Sequence, residues 1–275
     1  FLEYRKWAKM NGTYIRGPIK LMDEEGFVHC TFKQHGARGG RMSSEKPNLQ
    51  NQPMRGGWGE KIKDLYEGDG PDDVIVECDY GQLELRVAAA LSEDPTMLRI
   101  FRENGDIHNH NIRAILGREP GNPDDRRLSK NVGFGMLYKL SAVGLQKYLA
   151  TKSEPPIFIS LKEAAILRQR FLDQFPVLMG WEERVEEETK STGWVENALH
   201  YRRYLPEVFS GDSKAIEDAL KIAVNLPIQG LAGVIGKMAM IKCKEYSLRV
   251  NVHDALGVNV RRKWANVVAE DISKI

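Results

Sequence analysis

Two strand-like segments at opposite ends of a long helical stretch constrain the fold most. Residues 74–79 are short, β-branched and preceded by Gly70-Pro71, which predicts a buried strand ending at Asp79. Residues 250–260 predict a second strand-like region. From residue 83 the apolar spacing becomes helical, and residues 218–240 are again helical with a break or kink near Pro227. Strands that flank a helical insertion predict an α+β body from which a helical subdomain emerges.

Composition excludes several classes of protein. At 275 residues and 42% hydrophobic content, the chain can bury a real core and is not disordered. Its longest charge-free stretch, residues 222–236, is too short and too polar to span a bilayer, so we expect no membrane partner. Three cysteines without a Cys-x-x-Cys pair argue against a zinc site and indicate a reducing compartment. A start at Phe1 without a leader pattern indicates a piece of a longer protein rather than a secreted product.

The distribution of charge says more than the net charge of +2. Residues 33–63 hold two acidic residues and a set of basic ones, namely Lys33, Arg38, Arg41, Lys46, Arg55, Lys61 and Lys63. Residues 64–94 are strongly acidic and contain Arg86 as their only basic residue. A basic block followed by an acidic block suggests a polyanion-binding surface beside a site whose carboxylates hold cations.

The first group of residues with chemical meaning is 79–86. A carboxylate at the end of a hydrophobic strand is costly to desolvate unless a cation meets it. Asp79 would leave the strand as Glu84 and Arg86 enter the helix, which groups three ionisable side chains around one turn. The alternative is that Asp79 merely caps the helix.

The second group lies in residues 126–138. Four side chains spaced by four residues drift only about 40° per step around a helix; they are Arg126, Lys130, Phe134 and Tyr138. Cations bind phosphates and a flat ring stacks on a base, so this face predicts a site for a nucleoside triphosphate. His108 upstream would add a phosphate donor. The alternative is a solvated basic turn followed by aromatic core residues.

The third group is the sequence Val252-His253-Asp254-Ala255. In strict strand alternation Asp254 would share a face with valines 250, 252 and 258. A carboxylate there must be neutral, paired or bound to metal, unless a tight turn directs it elsewhere. An isolated His-Asp pair is common in proteins and indicates little alone. It indicates a functional site here because it follows the other two groups in the sequence.

Together these residues resemble a family A DNA polymerase. Residues 79–86 resemble that family's motif A, residues 126–138 its motif B in the O-helix, and residues 252–254 its motif C. Three further segments agree with the family's pattern, namely residues 40–51, 193–206 and 225–230. The resemblance covers nearly the whole chain.

The resemblance implies an α+β, right-hand polymerase fold with an antiparallel palm sheet, mostly helical fingers and a thumb that is largely absent. It implies palm for residues 1–92 with the end of the thumb, fingers for residues 93–213, and palm again for residues 214–275. The chain would also stop short of the family's usual C-terminus.

The resemblance also assigns roles to individual residues. Asp79 and Asp254 would be the catalytic carboxylates and, with the Tyr80 carbonyl, would hold two Mg²⁺ ions, for which Mn²⁺ can substitute. Glu84 would exclude a ribose 2′-OH. The residues that would bind the deoxynucleoside triphosphate are Gln82, Glu84, His108, Arg126, Lys130, Phe134 and Tyr138. Those that would contact primer-template DNA are Arg41, Asn48, Gln50, Lys221, Asn225, Gln229 and His253.

The implied function is template-directed DNA polymerase activity in replication or repair, in the cytoplasm of a bacterial or phage-infected cell. The reaction would add deoxynucleotides to a primer 3′-OH by two-metal phosphoryl transfer with release of pyrophosphate. A processivity factor is not identified.

Four positions depart from the family's pattern. Ala255 stands where the family usually has Glu, Gly81 where it has Ser, Lys139 where it has Gly, and Lys221 where it commonly has Arg. Ala255 motivates the alternative of a catalytically impaired primer-template binding module. A single-subunit RNA polymerase is a second alternative, against which Glu84 argues.

Overall fold

The computed structural model describes residues 2–34, 36–37, 39–53, 57–119, 121–153 and 155–275. Two residues of the predicted basic block, Arg38 and Arg55, lie outside these ranges. The chain divides into two compact units. We call Phe1–Leu83 with Ala232–Ile275 the sheet unit, and Glu84–Leu231 the helical unit.

Strands are few and short, and helices predominate. The strands of the described residues are β1 (Thr31–Lys33), β2 (Ser43–Glu45), β3 (Asp73–Asp79), β4 (Trp194–Glu196), β5 (Arg202–Tyr204), β6 (Ser247–Val252) and β7 (Ala255–Arg261). The helices are α1 (Leu2–Lys9), α2 (Gly17–Ile19), α3 (Gly57–Lys63), α4 (Leu83–Ser92), α5 (Pro95–Arg102), α6 (Ile107–Leu116), α7 (Pro123–Leu137), α8 (Ala142–Lys152), α9 (Leu161–Leu172), α10 (Pro176–Thr192), α11 (Ser213–Lys242) and α12 (Ala265–Ile272).

The sheet unit is built on an antiparallel sheet of three strands in the order β3-β7-β6. Alternate residues of β3 and β7 face one core, where Val76 pairs with Val258 and Cys78 with Leu256. Ile272 of α12 packs into the same core. The predicted strand at residues 74–79 is confirmed, but the prediction that it is buried is wrong. Its residues are half-buried or exposed, because β3 is an edge strand.

The region 250–260 is a hairpin rather than one strand. Val252 pairs with Ala255, so His253 and Asp254 form a two-residue turn between β6 and β7. His253 has a positive φ of 55°, as tight hairpin turns require. The turn breaks the strict alternation that would have placed Asp254 on the valine face. Of the possibilities left open for Asp254, the structure shows the tight turn.

The helical unit contains α4 to α10, the β4-β5 hairpin and most of α11. Polar residues begin its helices: the side chains of Asp94, Asp106 and Asn122 accept backbone N–H bonds at the starts of α5, α6 and α7. One apolar cluster joins the hairpin region to α11 and comprises Val195, Leu205, Val208, Ala219, Leu220, Ala223 and Leu226. The prediction of a mainly helical stretch after residue 83 is confirmed.

Helix α11 runs for 30 residues and continues through Pro227. Of the predicted break or kink near Pro227, the break is absent: apolar residues on both sides of the proline are buried and hold the helix together, and the kink stays a prediction. Among the described residues, this segment to Glu245 is long and apolar enough to cross a membrane. Half of its apolar window is buried inside the protein, as in a packed core helix, so it is weak evidence for a membrane span.

The sheet unit is made of two separate stretches of the chain, and the helical unit lies between them in the sequence. Their boundaries lie at Leu83/Glu84 and Leu231/Ala232, whereas the sequence predicted 92/93 and 213/214. The difference arises because α4 and most of α11 belong to the helical unit. The assignment of palm and fingers to these segments stays a prediction.

Candidate active site

Asp79 and Asp254 lie at the same end of the central sheet. Asp79 is the last residue of β3 and pairs with Ala255, the first residue of β7. The backbone N–H of Tyr80 donates to the carbonyl oxygen of Asp254 at 3.3 Å. Asp254 is thus the chain neighbour of the residue that pairs with Asp79. The fold therefore brings together two carboxylates that are far apart in the sequence, and both are reachable from solvent.

The sheet face that carries Asp79 holds another carboxylate, with a different partner. Alternation puts Asp79 and Glu77 on the face opposite the Val76 core, and Glu77 forms an ion pair with Lys63 of α3. Ala255 lies directly across from Asp79. One of the four positions that depart from the family's pattern is therefore the cross-strand neighbour of a predicted metal ligand.

Arg41 approaches Asp254 from a loop. Its Nη2 atom lies 3.3 Å from Asp254 Oδ1, and both side chains are about one quarter exposed. The loop is close to α11, since a Cβ on Gly233 would be 3.2 Å from Arg41 Cα. Lys237 fixes the same loop by donating to the Gly40 carbonyl oxygen at 2.8 Å. Gly233 and Lys237 were not predicted from the sequence, although they are four residues apart and hence on one helix face.

Asn251 supports the turn that carries Asp254. It is buried, and its Nδ2 atom donates to the carbonyl oxygens of His253 and Ala255, each at 3.2 Å. Its Oδ1 atom accepts from Gln50 Nε2 at 3.2 Å. Asn251 was not predicted from the sequence, because no local pattern distinguishes it from an ordinary strand residue.

The predicted DNA contacts of the sheet unit have different environments. Gln50 is buried beneath the hairpin turn, whereas Asn48 is exposed and its Oδ1 atom accepts from the Gln50 N–H at 3.1 Å. Partial burial of the ring, and next the Arg41 guanidinium, lowers the pKa of His253, and the Asp254 carboxylate opposes this shift. The structure places these residues with Arg41 near the Asp254 turn. Their contacts with DNA stay predictions.

Glu84 and Arg86, two of the three ionisable side chains predicted to group around the turn after β3, have different environments. Glu84 is buried and Arg86 is exposed, with its guanidinium 4.6 Å from the ring centre of Phe101. They point apart because residues two positions apart on a helix differ by about 200°. Asp79 is not the residue that directly precedes α4, since the helix begins at Leu83 and the residue before it is Gln82, which has a φ of 59°.

The side chains predicted to form a phosphate-binding face lie on α7 and directly after it, in the helical unit. Arg126 is exposed, and its Nη2 atom donates to Asp106 Oδ2 at 2.6 Å. Lys130 Nζ lies 5.7 Å from the ring centre of Phe134. Phe134 and Tyr138 are partly exposed, which contradicts the alternative that they are core residues. Tyr138 follows the last residue of the helix.

His108 lies beside this face. Its ring centre is 6.0 Å from that of Phe134, and the side chain is 3% exposed. Burial lowers the pKa of His108 to about 4, and the cations of Lys130 and Arg126 act in the same direction against Asp106. His108 is therefore a neutral imidazole at pH 7, able to donate one hydrogen bond but not to add a positive charge.

The helical unit also contains the residue predicted to exclude a ribose and three of the predicted DNA contacts. The Tyr138 hydroxyl lies 3.5 Å from Glu84 Oε2, which forms a long hydrogen bond. On α11 three predicted DNA contacts share the partly exposed face; these are Lys221, Asn225 and Gln229. Lys221 forms ion pairs with Glu217 and Asp218 of its own helix.

The donor set at the end of the sheet fits a hard cation. Asp79, Asp254 and the Tyr80 carbonyl offer oxygen atoms only. The described part of the chain contains no cluster of three or more His, Cys, Asp or Glu side chains placed to hold a metal ion. Two carboxylates suit Mg²⁺, which keeps waters and takes further ligands from substrate phosphates, and not a closed zinc site.

Comparisons with known proteins agree with this arrangement. The model of DNA polymerase family A matches residues 1–275. The chain is 35% identical over 268 residues to the thermostable DNA polymerase I of Thermus filiformis, covering 94% of this chain and 31% of that protein. It is 37% identical over 264 residues to DNA polymerase I of Bacillus caldotenax, covering 92% of this chain and 29% of that protein.

A solved structure is similar as well. The POL domain of Pol1 from M. smegmatis, in complex with DNA primer-template and dNTP, has a TM-score of 0.87 and 30% identity. The match covers 99% of this chain and 48% of that one. Our chain therefore spans about a third of the curated relatives and about half of the solved chain. The predicted α+β polymerase fold is confirmed, and the chain belongs to DNA polymerase family A.

Proposed function

We propose that this chain carries the active site of a template-directed DNA polymerase. The reaction adds a deoxynucleotide to a primer 3′-OH and releases pyrophosphate. The observation that carries the proposal is the meeting of Asp79 and Asp254 at one end of the sheet, through the Asp79–Ala255 pair and the 3.3 Å Tyr80–Asp254 hydrogen bond. The names of the relatives and the DNA and nucleotide in the similar structure support the same reaction.

Asp79, Asp254 and the Tyr80 carbonyl would hold two Mg²⁺ ions, for which Mn²⁺ can substitute. The bound ions supply activation of the primer hydroxyl and neutralisation of the developing phosphate charge. The chain's own contribution is to fix the two carboxylates. Asn251 holds the turn through two hydrogen bonds, and Arg41 pairs with Asp254.

The helical unit would bind the incoming nucleotide. Arg126 and Lys130 bind the triphosphate, and neutral His108 donates one hydrogen bond to it. Phe134 and Tyr138 offer partly exposed rings for the sugar and base. Glu84, with Gln82, would border the sugar, and its buried carboxylate beside the Tyr138 hydroxyl would leave no room for a ribose 2′-OH. That exclusion favours DNA synthesis over RNA synthesis.

Primer-template DNA would lie against a set of basic and amide side chains, namely Arg41, Asn48, Gln50, Lys221, Asn225, Gln229 and His253. Each phosphate neutralised by a cation lowers log K by about 0.9 per log unit of salt on duplex DNA. We also place the activity in the cytoplasm of a bacterial or phage-infected cell. The free cysteines of the described residues, Cys30, Cys78 and Cys243, support a reducing compartment, which cell fractionation tests.

Primer extension with Mg²⁺ tests the proposal. Asp79→Asn and Asp254→Asn keep the side-chain size and remove the charge, so extension should fall by at least about a thousandfold. Glu77→Gln is the matched control, because Glu77 is on the same strand and face but pairs with Lys63. Near wild-type extension by either Asn variant, or an equal loss in the control, would contradict the metal-site assignment.

Ala255 favours a second candidate, a primer-template binding module with impaired catalysis. The buried alanine places no carboxylate across from Asp79. Fluorescence anisotropy with a labelled primer-template separates the two candidates when combined with extension assays. Duplex binding without deoxynucleotide incorporation, in Mg²⁺ and in Mn²⁺, would support the binding module and reject the polymerase.

A further inference from the structure

The end of α7 has a C-terminal cap with an unusual residue. The Leu140 N–H donates to the Gly135 carbonyl oxygen and the Lys139 N–H donates to that of Met136, each at 2.9 Å. This pair of bonds defines a Schellman motif, whose residue after the cap is left-handed and usually glycine. Lys139 occupies that position with a φ of 51°. Since a lysine adopts this conformation reluctantly, its side chain needs a compensating contact.

The ammonium of Lys139 has such a contact on α10. Its Nζ atom lies 3.4 Å from Glu182 Oε2 and forms a hydrogen-bonded ion pair with Glu186. Glu182 is 3% exposed and Lys139 is about one quarter exposed. Because the side chains of Lys139 and Glu186 are only about one fifth to one quarter exposed, the attraction between these two charges is less screened than that of a fully exposed pair.

A second contact holds the next residue from another helix. Arg168 of α9 donates its Nε proton to the Leu140 carbonyl oxygen at 3.2 Å. The Leu140 side chain also covers Gly135, where an added Cβ would be 3.3 Å from Leu140 Cδ1. The two residues after Tyr138 are thus held by α9 and α10, while Tyr138 itself donates its N–H to Phe134 at 3.1 Å.

We propose that Lys139 is a positioning residue, which locks the end of α7 through Glu182 and Glu186 and so fixes the ring of Tyr138 for the incoming nucleotide. The nucleotide part rests on the proposed polymerase function. The lock itself does not, because its contacts are within the helical unit of the protein. Lys139 contacts α10 rather than the nucleotide-binding face and is therefore not a catalytic residue.

Three variants of Lys139 separate charge from backbone strain. Lys139→Met removes the charge and keeps the unfavourable φ. Lys139→Gly removes the charge and relieves the φ, and Lys139→Arg keeps the charge. Lys147→Met on α8 is the matched control, since Lys147 is an exposed lysine of the same unit.

Amide hydrogen exchange of residues 138–140, without substrate, tests the lock. We expect exchange about tenfold faster in both Lys139→Met and Lys139→Gly, and wild-type exchange in Lys139→Arg and Lys147→Met. Wild-type exchange in Lys139→Gly would overturn the proposal, since backbone preference alone would then fix the helix end. If Lys139→Met does not fold, Glu186→Gln probes the same ion pair from the other partner and should give the same increase.

Single-nucleotide incorporation tests the positioning of Tyr138. We expect Lys139→Met and Lys139→Gly to raise KM for the deoxynucleotide about fivefold with kcat within twofold, and Lys139→Arg to restore KM. Unchanged KM beside faster exchange would overturn the link to Tyr138 and leave a structural lock. If the wild-type protein extends no primer, the proposed function fails, whereas the exchange result still decides the lock.

Discussion

Two buried ionisable residues of the helical unit should give opposite pH dependences of stability. Burial lowers the pKa of His108 from 6.5 to about 4, with Lys130 and Arg126 acting in the same direction and Asp106 against them. Burial raises the pKa of Glu182 from 4.5 to about 7, opposed by Lys139 and Arg168 and assisted by Glu186. The perturbation is to replace each residue by glutamine, singly and together.

The sign follows from which state binds protons. Unfolded His108 takes up its proton as pH falls through 6.5 and the folded form resists it, so stability is lost from pH 6.5 down to about 4. Folded Glu182 keeps a proton that the unfolded chain releases, so stability is lost as pH rises from 4.5 to about 7. For each residue, the free energy of unfolding changes by about 1.4 kcal/mol per pH unit between its two pKa values, and by about 3 kcal/mol in total.

Urea unfolding of the whole chain, followed by fluorescence between pH 4.5 and 7, measures how the free energy of unfolding changes with pH in each variant. Relative to wild type, His108→Gln should gain about 2–3 kcal/mol of unfolding free energy as pH falls across this range. Glu182→Gln should gain a similar amount as pH rises, and the double variant should combine the two trends. Glu183→Gln, an exposed neighbour, is the control. Differences from wild type that do not change with pH would refute the reasoning.

Three further predictions concern the sheet unit. Ala255→Glu should lower the unfolding free energy by about 1 kcal/mol without divalent ions, because the new carboxylate faces Asp79. In calorimetry, adding Mg²⁺ should then raise the stability of this variant more than that of the wild type. Gly233→Ala should weaken duplex binding in an anisotropy titration, since its Cβ would crowd the Arg41 backbone. Asn251→Ala should cost about 1–3 kcal/mol in urea unfolding, because one buried and one part-buried carbonyl of the turn lose their donor.

The sequence predicted the elements of the site better than their environment. The strand that ends at Asp79 and the helix that carries Arg126 and Lys130 follow from local apolar spacing, and both are present. The hairpin at Asp254 could not be recognised, because His253 and Asp254 are not the Asn-Gly or Asp-Gly pair that marks a two-residue turn. Burial of β3 was overestimated, since strand order decides it and local sequence does not.

The residues that support the site, such as Gly233 and Asn251, could not be predicted from local sequence for a different reason. Gly233 matters through its approach to Arg41, and Asn251 through its hydrogen bond to Gln50, each across about 200 residues of chain. Neither residue belongs to a short motif with a chemical meaning. The same holds for Lys139, whose acidic partners lie on another helix. Contacts of this kind follow from the fold and cannot be deduced from spacing.

Electrostatics at the end of the sheet gives a physical reason for the alanine at position 255. A glutamate there would lie directly across from Asp79, and like charges directly opposite destabilise an antiparallel pair. Asp254, the other carboxylate, has the Arg41 guanidinium 3.3 Å away. Alanine therefore leaves both proposed ligands in place while lowering the repulsion that the protein bears before cations bind. The carboxylate that alanine removes is a neighbour of Asp79 and is not one of the two proposed ligands, Asp79 and Asp254. The presence of Ala255 is therefore compatible with polymerase activity, although the position departs from the family's pattern.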